Sequence, residues 1–279
     1  MTILAALDDS EIAGAVLDTA RRLGSMLDVP VEAIHVRERD GDDGRVCARV
    51  AESAGLPLRV RAGEIGEVGE VLRSDVRERA ATILVIGARQ PGADNAPAGH
   101  VTFEVVQSVD CTIVVVPPGH EDRPVRRVLV AVEGNGESRG LRGLFRHLGD
   151  RSAPEVIAVH VIEPSSLPPF ADSPVLEADA FEREFGIRAA GNVLPDRSRV
   201  RFEFRVGEAP DALREAVTEL DADLVVLAWH RDLSRGRARM VREMVERARV
   251  PVVLVPLART GPSSSRTGPS ASPDRGRRG

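Results

Sequence analysis

The chain has 279 residues and a net charge of -5, so it lacks the positive charge that draws a protein to nucleic acid. Its 38 basic residues are all arginine, because the sequence contains no lysine. Schiff-base chemistry and a P-loop lysine are therefore excluded. The two cysteines, Cys47 and Cys111, lie far apart and do not indicate a disulfide framework. With neither a signal-peptide pattern nor a membrane-spanning run, we expect a cytoplasmic protein without membrane or nucleic-acid partners.

In chain order, the first elements predicted are a strand over residues 2–7, which read as a continuous apolar run, and a helix over 11–27. Asp8, Asp9 and Ser10 stand between them and can cap that helix. The further strands are predicted at 31–36, 58–60, 83–86 and 111–116, with helices over 66–79 and before the last strand. Strands that alternate with helices predict a parallel sheet with helices on both faces.

The second half of the chain repeats this pattern. Matched segments are ILAALDDS with VLVAVEGN, AIHV with AVHV, TILVIGARQ with DLVVLAWHR, and CTIVVVP with VPVVLVP. The offset grows from 125 residues, between Ile3 and Val128, to 139 residues, between Cys111 and Val250, so insertions separate the copies. We predict a first domain at 1–117, a linker at 118–126, a second domain at 127–256 and a disordered tail at 257–279. We call the two domains the first and second copy.

The predicted fold class is therefore α/β, with two tandem doubly wound domains that each contain a five-stranded parallel sheet and resemble a Rossmann fold. Ligands of such sheets bind beyond the carboxyl ends of the strands. In the first copy those ends carry Asp8, Val36, Gly63 and Gly87.

The segment VIGARQ, followed by a loop and by GHVTFEVVQSVDCTIVVVPP, resembles the end of a universal stress protein domain. That family has the pattern GxxG, nine residues, Gly-Ser/Thr, then a helix and a valine-rich strand ending in proline. ALDDSE after the first strand and His35-Val36 on the second strand support the resemblance, which covers both copies. It implies tandem universal stress protein domains with the adenine nucleotide alpha hydrolase-like fold.

The resemblance further implies that the first copy binds an adenine nucleotide, namely ATP with or without Mg²⁺. The acidic residue after the first strand and the valine of the second would hold adenosine. Glycines after the fourth strand and the next helix N-terminus would hold ribose and phosphates, because glycine permits close approach and the helix end attracts anions. The candidate residues are Ala6, Asp8, Val36, Ile86, Gly87, Arg89, Gly99, His100, Val101 and Thr102. No catalytic or metal-ligating residue is assigned.

Three departures from the family pattern lie in the first copy. Gln90 replaces the second glycine, the loop to Gly99 is one residue short, and His100 replaces serine or threonine. Gln90 would hinder the approach of a phosphate, whereas Arg89 and His100 could donate hydrogen bonds to it.

The second copy departs further, with Ala228 at the position of Gly87, Glu133 at the position of Asp8, and a new tryptophan, Trp229. Trp229 could cover an adenine, or it could fill the former nucleotide space or an interface. The arginines around the motif could meet phosphates or simply form a solvated helix face. We expect the nucleotide in the first copy.

Three functions stay open at this stage. The first is a regulatory ATP-binding module in a stress response, and the second is a nucleotide-independent scaffold with vestigial pockets and an unknown protein partner. The third, a slow ATPase, is disfavoured because no general base or lysine is placed for attack. His35 and His160 occupy matching strand positions, which predicts packing roles. The final strand mediates dimerisation in the family, so we expect the two copies to pair with each other, and a homodimer is compatible with this.

Overall fold

The computed structural model describes residues 1–38, 44–88, 100–132, 154–163, 200–229, 231 and 237–257. In the first copy the elements are β1 Ile3–Leu7, α1 Ala13–Leu27, β2 Val31–Arg37, α2 Arg45–Ser53, β3 Leu58–Ala62, α3 Val68–Glu78, β4 Ile83–Gly87, α4 His100–Ser108 and β5 Thr112–Val116. In the second copy they are β6 Arg127–Ala131, β7 Glu155–Ile162, β8 Val200–Val206, α5 Ala209–Glu219, β9 Leu224–Trp229, α6 Arg237–Arg247 and β10 Val252–Pro256. The surface loop predicted at 163–174 and the predicted tail lie outside the described residues, except for their first residues.

All strands join one ten-stranded sheet in the order β3-β2-β1-β4-β5-β10-β9-β6-β7-β8. The described pairs within each copy are parallel, as the alternation of strands and helices predicts. The copies meet where β5 pairs antiparallel with β10. The predicted fold class is confirmed, and so is the predicted pairing of the two final strands.

Both faces of the sheet are covered, which explains why its strands read as continuous apolar runs. Helices α1 and α2 pack on one face through residues such as Leu17 and Cys47. Helices α3 to α6 contribute residues such as Leu72, Leu213 and Met244 to the core cluster on the other face. Each core cluster contains residues of both copies, so on each face of the sheet the hydrophobic core continues from one copy to the other. None of the described helices combines the length and apolar composition that crossing a membrane requires.

The capping prediction for α1 is wrong. The helix begins at Ala13, its N-cap is Ile12, and no side chain caps it. Asp9 instead caps α2: its Oδ1 accepts hydrogen bonds from the backbone N–H groups of Val46 and Cys47, each at 3.1 Å. A carboxylate at the first turn of a helix satisfies N–H groups that have no partner within the helix. The helix that Asp9 caps is thus not the one that follows it in sequence.

The segment predicted as a linker, residues 118–126, contacts both copies. Arg22 of α1 donates from Nε to Asp122 Oδ1 at 2.7 Å. Arg123 Nε lies 2.9 Å from Asp223 Oδ1, and the same carboxylate accepts the backbone N–H groups of Arg126 and Arg127. These ion pairs hold the linker against the sheet at the junction of the copies.

We expect His120 of the linker to make the protein less stable in mild acid. Burial, followed by the positive charge of Arg123, lowers the pKa of His120 below its usual 6.5. Because the folded-state pKa is lower than the unfolded one, its stabilising contribution is present above pH 6.5 and is lost as pH falls through the folded pKa. Urea unfolding at several pH values should show this loss in the wild type and a flatter profile in His120→Gln. Equal pH profiles for the two proteins would contradict it.

Candidate functional site

The candidate site lies at the carboxyl edge of the sheet in the first copy. The neighbours of β1 are β2 on one side and β4 on the other, so the strand order reverses there. Such a reversal opens a crevice between the loops that leave the two strands in opposite directions. Asp8 directly follows β1, Val36 lies near the end of β2, and Gly87 ends β4.

One wall of this crevice is apolar. Ala6, Val36 and Val101 are partly buried and pack against the core cluster that contains Ile86. Ala6, Val36 and Ile86 therefore lie on the face of the sheet that α3 and α4 cover, and Val101 packs on the same side from α4. The wall thus combines one residue each from β1, β2 and β4 with one residue from the first turn of α4.

Asp8 contributes a charged side chain to this edge. Its Oδ1 accepts hydrogen bonds from the backbone N–H of Ser10, at 3.2 Å, and from the Ser10 hydroxyl. This turn orients the carboxylate. Among the described residues, Oδ2 of Asp8 has no hydrogen-bond donor, so one oxygen of an oriented carboxylate remains available to a ligand.

Gly87 and Thr102 join β4 to α4. The side chain of Thr102 is buried, and its hydroxyl donates to the carbonyl oxygen of Gly87 at 3.2 Å. A Cβ at Gly87 would lie 2.8 Å from Cγ2 of Ile12, just before α1. Real Cβ contacts are longer, so Gly87 is required by the packing of Ile12, whether or not a phosphate approaches its backbone.

The remaining predicted residues belong to the loop before α4. Arg89 and Gly99 lie outside the described residues, as does Gln90, and only the backbone of His100 is described. Helix α4 begins at His100. The N–H groups of a first helical turn lack partners within the helix and attract anions. The hydrogen bond from Thr102 to Gly87 therefore holds the N-terminus of α4 next to the carboxyl end of β4.

Beside the crevice lies a polar cluster that the sequence pattern did not reveal, in which His35 and Cys47 are buried and Asp9 is exposed. His35 Nδ1 lies 3.0 Å from the carbonyl oxygen of Leu7, which can only accept, so this nitrogen carries the proton. Cys47 Sγ lies 3.5 Å from the same nitrogen. Burial acts to raise the pKa of Asp9, but hydrogen bonds from Cys47 and Val46 outweigh it and lower that pKa.

The packing role predicted for the matched histidines is confirmed. In the second copy His160 Nδ1 lies 2.8 Å from the carbonyl oxygen of Val132, which corresponds to Leu7 at an offset of 125 residues. Each histidine thus bonds to the end of the neighbouring central strand. A ring nitrogen committed to a backbone carbonyl cannot act there as a base.

The equivalent edge of the second copy is occupied by its own side chains. Trp229 is 4% exposed and belongs to the core cluster, which favours the interpretation that it fills space. Arg231 donates from Nη2 to the backbone carbonyl of Asp110 at 2.8 Å. Arg239 is exposed and pairs with Glu208 and Glu243, as a solvated helix face would.

Comparison with known proteins finds a family model that matches the second half of the chain. Residues 124–256 match the model of the universal stress protein family. The second half of the chain is therefore similar to a universal stress protein domain. A search of curated proteins gives no match.

Solved structures of universal stress proteins share the fold of the whole chain. A putative universal stress protein from Pseudomonas aeruginosa UCBPP-PA14 is 14% identical, with a TM-score of 0.66, covering 92% of this chain and 93% of its own. A universal stress protein from Archaeoglobus fulgidus DSM 4304 is 15% identical, with a TM-score of 0.64, covering 91% of this chain and 98% of its own. Coverage of both halves is consistent with a tandem arrangement of the domain. A universal stress protein in complex with cAMP is 22% identical and covers 48% of this chain and 98% of its own, with a TM-score of 0.35.

Proposed function

We propose that the first copy binds an adenine nucleotide, ATP with or without Mg²⁺, and that the protein is a cytoplasmic, nucleotide-responsive regulatory module of a stress response. The observation that carries the proposal is the position of Asp8. Its oriented carboxylate, with Oδ2 available among the described residues, stands where the strand order reverses, beside an apolar wall. Such a combination of apolar surface and one placed charge is typical of a cofactor pocket.

Each part of the crevice has a matching part in the nucleotide. The flat adenine ring would pack on the wall formed by Ala6, Val36, Ile86 and Val101, where its burial is favourable. The ribose hydroxyls would donate to Oδ2 of Asp8, a charge-assisted hydrogen bond. The phosphates would lie at the N-terminus of α4, whose first turn offers free N–H groups. In this proposal Arg89, Gly99 and His100 complete the phosphate site, as the resemblance implies.

The scaffold function is the second candidate, and the second copy favours it. There Trp229 is buried in the core and Arg231 is bonded to Asp110, so both side chains at that strand end are already engaged. We propose that this copy serves as the partner of the first and not as a second nucleotide site. Domain limits at 117 and 127, a homodimer and an external protein partner stay predictions.

We expect Asp8→Ala to weaken ATP binding by about 10-fold to 100-fold, because a hydrogen bond to a charged group contributes about 1.5–3 kcal/mol. Calorimetric titration of the full chain with ATP, with and without Mg²⁺, measures the change. Asp8→Asn keeps the shape and one acceptor oxygen, so it should lose less.

The matched control is Glu133→Ala, which changes the residue that corresponds to Asp8 in the second copy. We expect it to leave the affinity and a stoichiometry of about one nucleotide per chain unchanged. Loss of binding in Glu133→Ala alone would place the ligand in the second copy. No binding of millimolar ATP by the wild type, and no nucleotide in its mass spectrum after purification, would support the scaffold instead.

A further inference from the structure

The strands that join the two copies pair in a symmetric register. Val114 of β5 pairs with Val253 of β10, and these residues correspond to each other at the offset of 139. The two flanking pairs are Ile113 with Leu254 and Val115 with Val252. At the same offset Ile113 corresponds to Val252 and Val115 to Leu254, so each flanking pair is the symmetry equivalent of the other. A pseudo-two-fold axis therefore passes between Val114 and Val253, as in an isologous dimer interface.

The side chains around this axis are not symmetric. Helix α4 of the first copy and α6 of the second approach each other, and the guanidinium carbon of Arg242 lies 5.2 Å from the ring centre of Phe103. Phe103 and Arg242 correspond at the offset of 139, so this cation–π contact joins equivalent positions across the axis. Two identical copies could not make it.

A second asymmetric contact centres on Asp110, which precedes β5. Its carboxylate accepts from Nη1 of Arg231, and its backbone carbonyl accepts from Nη2 of the same residue. Its other carboxylate oxygen accepts from Arg77 of α3 at 2.8 Å. The residue of the second copy that corresponds to Asp110 is Arg249, a charge reversal. In the aligned sequences Gln90, outside the described residues, corresponds to Arg231.

These differences between equivalent positions of the two copies give each of the three possible pairings a different set of facing charges. Two second copies would place Arg231 against Arg249 on both sides of the axis and Arg242 against its own equivalent, so like charges would face each other. Two first copies would place the Asp110 position against that of Gln90, without an ion pair. Of the three pairings, the mixed one brings opposite charges together. Like charges that face each other across an interface cost free energy and so exclude wrong partners, in addition to the attraction that favours the right one.

We propose that Phe103, Asp110, Arg231 and Arg242 form a pairing code that directs the edge strand of the first copy to a second copy and rejects like-with-like pairing between chains. The code has a physical purpose, because β5 and β10 are valine-rich edge strands that would otherwise template association. The linker at 118–126 keeps the correct partner at high effective concentration. Both edges are then closed within one chain.

Two full-length variants test the code. Asp110→Arg and Arg231→Asp both replace the attraction at the mixed interface by repulsion, and each should lower Tm by about 5 °C. The two variants differ in their effect on the contact that the second copies of two separate chains would make with each other. Arg231→Asp turns the facing pair of positions 231 and 249 from like into opposite charges, so this variant should form a species with twice the wild-type mass in sedimentation. Asp110→Arg keeps both arginines there and should keep the wild-type mass.

The combined variant D110R/R231D restores opposite charges at the mixed interface, so it should recover most of the Tm that each single variant loses. Such a recovery would exclude misfolding as the cause of the lower Tm of the single variants. Arg214→Asp is the matched control. It makes the same charge change at an exposed pair with Asp211 on α5, away from the axis, and should change neither the mass nor the Tm by more than about 1 °C. An Arg231→Asp protein that keeps the wild-type mass, or an Asp110→Arg protein that doubles it, overturns the proposal.

Discussion

One added methyl group at Gly87 is expected to lower the free energy of unfolding by about 2 kcal/mol, whereas the same methyl group at Gly14 should raise it by about 0.5–1 kcal/mol. A Cβ at Gly87 would meet Cγ2 of Ile12 at 2.8 Å, and this atom belongs to a β-branched side chain that cannot easily move aside. At Gly14, in helix α1, no atom lies within 4 Å of the added Cβ. Alanine is simply the better helix former there.

Urea unfolding of Gly87→Ala and Gly14→Ala measures both effects with the same chemical change. Equal stability of Gly87→Ala and the wild type would show that Ile12 moves freely and that packing does not require this glycine. The result also bears on tests of nucleotide binding. A change at Gly87 disturbs the start of α1 before it reaches any ligand, so Asp8 is the more informative position for such tests.

Replacement of the buried Asp75 by asparagine is expected to lower the free energy of unfolding by about 3 kcal/mol. Asp75 of α3 is 0% exposed, and its Oδ2 accepts from Arg59 at 3.0 Å. Its Oδ1 lies 3.4 Å from Nη1 of Arg61, within ion-pair range but without hydrogen-bond geometry. Arg59 also donates to Glu32 at 2.6 Å, so the cluster joins α3 to β2 and to the edge strand β3. Asparagine keeps the shape but removes the charge that both guanidinium groups face.

The comparison for Asp75→Asn is Glu70→Gln, on the same helix. Glu70 pairs with Arg73, but the Glu70 side chain is 60% exposed, so the loss of its charge should cost at most about 0.5 kcal/mol. Denaturant titrations of both variants give the two free energies of unfolding. Similar decreases in the free energy of unfolding for the two variants would mean that burial does not strengthen the ion pairs of Asp75.

If the proposed nucleotide site and the pairing code are both correct, the two copies have different roles: the first binds the ligand and the second serves as its structural partner. The first copy keeps Asp8 and the apolar wall, and the second fills the equivalent edge with Trp229 and bonds Arg231 across the junction. Arg231 thus joins the former ligand edge of one copy to Asp110 of the other. A substitution that removes the nucleotide site of the second copy, such as Arg231, would therefore also make the second copy the specific partner of the first.

Much of the architecture could be predicted from the sequence. Strands that are covered on both faces appear as apolar runs, and the repeated runs revealed both copies. The pairing of their last strands was expected from the resemblance to universal stress proteins, and the structure contains it. The strand ends follow from the same runs, and the amino-acid pattern therefore suffices to place Asp8, Val36 and Gly87 at the crevice. These features depend on periodicity within a short stretch of chain.

The particular roles of several side chains were decided by tertiary structure. Asp9 was expected to cap α1 but caps α2, Gly87 makes room for Ile12, and Asp110 meets Arg231 across 121 residues of sequence. Each of these contacts joins residues that lie far apart in the chain and come together when helices dock on the sheet. Sequence alone determined the repeated α/β fold and the positions of its strand ends, because both follow from local periodicity. The partners of individual polar side chains depend on which surfaces meet, and only the packed structure decides that.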